Sequence, residues 1–125
     1  MKKPLVCNLS ALAMSVLAFP LLALSGQSGS GAQTFTGEVM DSICTPDGSH
    51  ATTMAKMSSM GKDSETCTNE CVAMGAKYML YDQTSHTVYS VNKQDKLARF
   101  AGQKVRITGT LDGNKITVAD INGLG

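Results

Sequence analysis

The sequence predicts one small β-barrel of five strands, with a helical insertion after the first strand and a short helix between the third and fourth. Three observations carry this reading. Short runs of alternating or strongly apolar residues recur between Thr34 and Ile121, which is the period of strands. Turn-forming residues such as Asp112-Gly113 separate them, and that dipeptide is a strong hairpin signal. Between Asp63 and Gly75 the alternation gives way to helix-capping residues. The domain has about 95 residues, so it buries only about 60 to 65% of its unfolded surface, and a covalent or metal staple would help so small a core.

The chain is 125 residues long and opens with Lys2 and Lys3, followed by a mostly apolar, uncharged run from Leu5 to Leu24. A positive start and an apolar stretch predict a secretory signal peptide over residues 1–25. A transmembrane anchor is the competing reading. Cys7, Asn8, Ser10, Ser15 and Pro20 interrupt the run, and no basic stop follows it, so no stable membrane anchor is expected. Residues 26–33 are Ser/Gly-rich, a composition that predicts a flexible segment, and small residues suit cleavage after Ser25 or after Ala32. No cysteine stands at the end of the apolar run to carry a lipid. The domain therefore covers 34–125, and its expected location is the periplasm or outside the cell.

Within the domain, Thr34 to Met40 forms the first strand, with Phe35 and Val39 on one face and Gly37 marking a bulge or a close backbone approach. Pro46, Asp47 and Gly48 make a turn. His50 to Met60, small and methionine-rich, is either a short helix or an open loop. Asp63, Ser64 or Thr66 caps a helix from Glu65 to Met74, and Gly75 takes the left-handed position after it. Cys67, Cys71 and Met74 lie at spacings of four and three, so they share one inward face. Ala76 to Tyr81 and Thr87 to Val91 form a hairpin, Gln94 to Ala101 a short helix ending at Gly102, and Lys104 to Leu111 and Lys115 to Ile121 a second hairpin. Five strands with a helix between the third and fourth match an OB-like barrel. An α+β sandwich of the same elements is the alternative.

Three blocks, Gly37 to Cys44, Cys67 to Tyr78 and Ala101 to Leu111, resemble a family of small secreted bacterial proteins with an Asp-Ser-x-Cys and Cys-x-x-x-Cys pattern. The resemblance brings no activity with it. The last block is also similar to the fourth strand of periplasmic OB-fold proteins, among them copper and silver chaperones with His and Met ligands. That likeness transfers no ligand position, because those ligands lie on barrel strands and the methionines here lie in an insertion.

The chemistry concentrates between Asp41 and Gly75, which offers Cys44, His50, Met54, Met57, Met60, Cys67 and Cys71, all soft or borderline metal ligands. Once Cys7 leaves with the leader, three cysteines remain. An odd number in an exported chain leaves at least one free, pairing between molecules or binding something. One helical turn holds the β-carbons of Cys67 and Cys71 about 5 to 6 Å apart, where a disulfide wants about 3.8 Å, so these two are not expected to pair. Cys44 can pair with either. That disulfide is one reading. The other is a Cys44, His50, Cys67, Cys71 set for zinc or copper, with Met54, Met57 and Met60 as auxiliary thioethers for copper.

Of the 11 basic residues two lie in the leader, so the remainder carries nine against ten acidic ones and a formal charge of −1 rather than +1. That balance speaks against nucleic acid as a partner, and Tyr78, Tyr81 and Tyr89 are better read as barrel packing than as a base-stacking surface. His86 reads as a solvated turn residue, and Asp41 and Ser42 as caps of the turn after the first strand. No nucleophile, base and orienting acid occur at a recognisable spacing, so the sequence predicts a binding protein and not an enzyme. The expected function is soft-metal binding. The alternative is a disulfide-stapled structural or interaction module, without metal, that recognises a protein or small ligand.

The leader reading predicts that the exported protein begins between Gly26 and Gln33. Intact-mass measurement on material recovered outside the cytoplasm checks this, and a mass retaining Met1 to Leu24 contradicts it.

Overall fold

The computed structural model describes residues 31–56 and 63–125. The leader, its cleavage sites, Met57 and Met60 lie outside the described residues. Five strands, β1 (Gln33–Asp41), β2 (Tyr78–Asp82), β3 (Thr87–Val91), β4 (Lys104–Asp112) and β5 (Lys115–Gly123), form a mixed sheet. They close in a ring in the order β1-β2-β3-β5-β4. Only the β3 and β5 pair is parallel, through Ser90 against Lys115 and Val91 against Ile116. Among the described residues three α-helices accompany them: α1 (His50–Lys56), α2 (Ser64–Ala73) and α3 (Gln94–Leu97), the last extended by a 3-10 turn over Ala98–Phe100. Among the described residues no helix is long and apolar enough to cross a membrane.

β1 closes the ring because its two halves pair with different neighbours. Gln33 to Glu38 pair with β4, and Glu38 to Asp41 pair with β2. The crossover needs a residue without a side chain, since a Cβ at Gly37 would meet the Tyr81 carbonyl oxygen at 2.5 Å. The close approach read from the sequence is therefore present. A second one occurs at Gly109, where the β4 and β5 register shifts and a Cβ would meet the Thr117 carbonyl oxygen at 2.3 Å.

Alternation along β1 sends its side chains into two separate cores. Val39 joins Leu80, Leu97, Val105, Ile107 and Ile116 in the main core, all with no exposed surface. Its neighbour Met40 points the other way and packs with Cys44, Cys67, Cys71 and Tyr81, the cluster that seats α2 on β1. Tyr89 meets Phe35 edge to face at 5.3 Å, so this tyrosine packs against the sheet as expected.

α2 starts where Asp63 caps it, accepting from the Thr66 amide at 2.8 Å. It ends in a Schellman motif: Gly75 adopts φ 108°, and the Gly75 and Ala76 amides donate to the carbonyls of Val72 and Cys71. This motif corrects two expectations. Ala76 and Lys77 are consumed by the helix exit, so β2 starts at Tyr78. Met74 is the cap and not a member of the helix, and it is 66% exposed; Thr68 is buried with the cysteines in its place. The open choice at His50 resolves as a helix, and β1 begins one residue early at Gln33.

Gly37→Ala is expected to lower the unfolding free energy by about 1 to 3 kcal/mol, because backbone must move to admit the methyl group. Thr36→Ala, at an exposed position of the same strand, should stay within about 0.5 kcal/mol. Urea titration of both variants checks the contrast.

Candidate metal centre

Two local devices bring the thiols to the centre. Cys44 follows β1 through a turn tied by Asp41, whose Oδ1 accepts from the amides of Ile43 at 2.9 Å and Cys44 at 2.8 Å. Ser42 holds the other side of the turn: its amide donates to the Lys77 carbonyl and its hydroxyl accepts from the Lys77 amide. The capping role read for Asp41 is thus present, whereas Ser42, read as a second cap, bonds across to Lys77 instead. Cys67 and Cys71 stand one turn apart on α2 and face the same way.

The three sulfurs all lie within 4.8 Å of one another, close enough to hold a metal ion. Cys44 Sγ is 3.8 Å from Cys71 Sγ, far beyond a disulfide bond of about 2.0 Å, and all three are free thiols. None is more than 1% exposed. Burial pushes the Cys44 thiol far up, and the nearby Asp41 carboxylate adds to the rise by its charge. The same two causes raise Cys71 and Cys67. Without a metal the site therefore holds neutral S–H groups at neutral pH, and any ion that binds must displace their protons.

Asp41 carries a further feature that its role as a cap does not explain. The residue is fully buried, and its Oδ2 has no hydrogen-bond partner. Sequence reasoning stopped at the cap. The signal it passed over was the adjacency of an acid to the first cysteine of the cluster.

The structure separates His50 from the thiols. His50 is buried, with Nδ1 against Glu38 Oε1 and Nε2 2.7 Å from the Thr68 hydroxyl. Both ring nitrogens are engaged, so His50 does not complete a Cys3His set here. Since the Thr68 hydroxyl donates to the Ser64 carbonyl at 2.8 Å, it accepts from His50 Nε2–H, and Nδ1 is hydrogen-bonded to Glu38 Oε1. Glu38 Oε2 accepts from Gln83 Nε2 at 2.9 Å. Hydroxyl, imidazole and carboxylate have the connectivity of an acyl-transfer relay. Thr68 is fully buried, however, so the chain fastens β1, α1 and α2 together.

Met54 is half-buried beside the Ser64 hydroxyl, 4.0 Å from its sulfur, and does not pack on the cysteine cluster. His86 is exposed as expected but is held at φ 54°, with Nδ1 2.9 Å from the Tyr81 hydroxyl. No family model, curated protein or solved structure matches this chain.

The raised thiols fix the sign of a pH dependence. Unfolded thiols ionise near 9.0, while the folded ones keep their protons to higher pH, so their contribution is whole below about pH 9 and is lost as pH rises through the folded values. Chemical denaturation of reduced, metal-free protein should show stability falling above about pH 9. The Cys44→Ala, Cys67→Ala, Cys71→Ala triple variant should lack that part of the decline, and an identical decline contradicts the assignment.

Proposed function

We propose that this is an exported, single-domain OB-like protein that binds a soft metal ion, copper or zinc, through Cys44, Cys67 and Cys71. The observation that carries the reading is the spacing of the sulfurs. A tetrahedral ion with Zn–S bonds of about 2.3 Å holds its sulfurs about 3.8 Å apart, and Cys44 and Cys71 already stand at 3.8 Å. Trigonal Cu(I) thiolate needs nearly the same spacing, so distance alone suits either ion. The ring order and the position of α3 between β3 and β4 support the OB-like description. The apolar leader supports the periplasm or the exterior as its location, where a soft ion also protects thiols that would otherwise oxidise.

The second reading is an interaction module stapled by a Cys44 to Cys71 disulfide, with Cys67 left as a thiol. It takes support from the same short approach. A small ligand would then have a cleft of about 560 Å³ beside β1, lined in part by Phe35, Gln83, Tyr89 and Lys104. The two readings are exclusive at Cys44 and Cys71.

Metal analysis of protein purified from the exported fraction, combined with a count of free thiols, decides between them. The metal reading expects one bound ion per chain, three free thiols after chelation, and a melting temperature that rises with added ion. The stabilisation grows by about 1.4 kcal/mol per tenfold excess over the dissociation constant. A chain with no bound ion, one free thiol and no thermal shift from zinc or Cu(I) after reduction rejects this reading and leaves the stapled module.

A further inference from the structure

We propose that the outer edge of β1 is a docking site for an extended acidic peptide, which adds as a strand beside Thr34 and Thr36 and sets a carboxylate against Lys104. The observation is a missing rung in the ring. β1 pairs with β4 from Gln33 to Glu38 but with β2 only from Glu38 to Asp41, so from Thr34 to Gly37 a strand lies on one side alone. The Val39 amide donates to the Gln103 carbonyl, on the β4 side, and the direction of these groups alternates along an antiparallel strand. The even-numbered residues of β1 therefore turn N–H and C=O away from β4. At Glu38 and Met40 these groups face β2, and at Thr34 and Thr36 they face no strand among the described residues. The β1 and β2 register would next set Thr36 opposite Gln83, but β2 ends at Asp82 and the Gln83 side chain bonds Glu38 instead.

The shape of the site selects a peptide. Thr34 and Thr36 are exposed, and they line the cleft of about 560 Å³ together with Tyr89 and the turn over residues 82–84. Their four backbone groups come in two pairs about 7 Å apart, the spacing of alternate residues on a second strand, which is how strand addition gains its main-chain bonds. Phe35 and Tyr89, edge to face at 5.3 Å, both border the cleft and give an apolar side chain of the added strand a surface to cover. A second copy of this chain fits less well. Its own edge lies behind the same turn, so two copies would bring their turns against each other, whereas a single strand carries no such obstacle.

Charge then selects the sequence. Glu38, Asp82 and Lys104 are the charged residues bordering the cleft. The Glu38 carboxylate is held by His50 and Gln83, and that of Asp82 accepts from the Thr84 and Ser85 amides and the Ser85 hydroxyl. Lys104 stands opposite Glu38 in the register, yet it is exposed and forms no ion pair among the described residues. Arg106, also exposed, lies two residues along β4 and opposite Thr36, so it shares the face of Lys104. The acids are engaged and the bases are not, which favours an acidic residue on the incoming strand. The edge involves none of the thiols, so this assignment stands apart from metal binding.

The test selects binders to the full exported chain from a displayed library of random linear decapeptides, then studies the strongest as a free capped peptide by fluorescence anisotropy and residue-resolved amide exchange. The selected sequences should alternate apolar residues, include an acid and lack an internal proline. On binding, exchange of the Thr34 and Thr36 amides should slow at least about tenfold, while the Phe35 amide, which faces β4, changes little. Lys104→Glu should weaken binding at least about tenfold, and Thr36→Pro, which removes an outward N–H and leaves the β4 side intact, should abolish it. Should Thr36→Pro fail to fold, the same peptide N-methylated at alternate residues, in each of the two phases, reads the same point: one phase is expected to lose binding, and full affinity in both rejects the proposal. A library that yields no binder, a binder that leaves the Thr34 and Thr36 amides unprotected, or equal affinity for Lys104→Glu overturns it. Protection of both amides that appears with rising protein concentration and no peptide assigns the edge to a second copy and overturns it as well.

Discussion

The seating of α2 on the ring, and with it the placement of Cys67 and Cys71, depends on one buried polar chain, Glu38 to His50 to Thr68. It joins a strand of the ring to both helices of the insertion, and it passes through groups that have no solvent to fall back on. Removing one partner from such a chain leaves a buried donor or acceptor unsatisfied, which is far more costly than the net worth of a single hydrogen bond. Directional contacts of this kind specify one seating of α1 and α2 where apolar packing would accept several. α1 has little apolar surface to offer instead, since the residues it buries are His50 and Thr53.

With α2 so held, the two faces of β1 do different work. Val39 anchors the strand inside the ring, and Met40, one residue on, begins the cysteine cluster. The thiols thus sit against the sheet and not in a loop, and their geometry is set by elements that cannot adjust independently. Burial has an electrostatic consequence. It keeps the thiols protonated when no ion is present, so the cluster avoids three uncompensated charges in an apolar setting, and metal occupancy becomes coupled to pH.

Much of the scaffold was legible along the chain. β3 runs from Thr87 to Val91 as expected, Gly37 marks a close backbone approach in β1, and Gly75 ends α2 in the left-handed conformation. These features are local: each depends on alternation, on a missing Cβ or on a cap within a few residues. The errors share the opposite character. Met74 has the right spacing for the inner face, but the chain leaves the helix before its side chain can turn inward. His50 has the right chemistry for a ligand, yet Glu38, twelve positions earlier, claims it.

What the sequence by itself determined is therefore the set of strands, the helix carrying two cysteines one turn apart, and the stretch in which the chemistry is gathered. Periodicity and backbone sterics act between neighbours in the chain, so they can be read from neighbours. Tertiary structure alone decided that Cys44 meets Cys71 and that His50 belongs to Glu38 and Thr68. Those outcomes follow from where ring closure puts β1 against α2, and a buried polar atom's choice of partner depends on which competitors fall within about 3 Å of it.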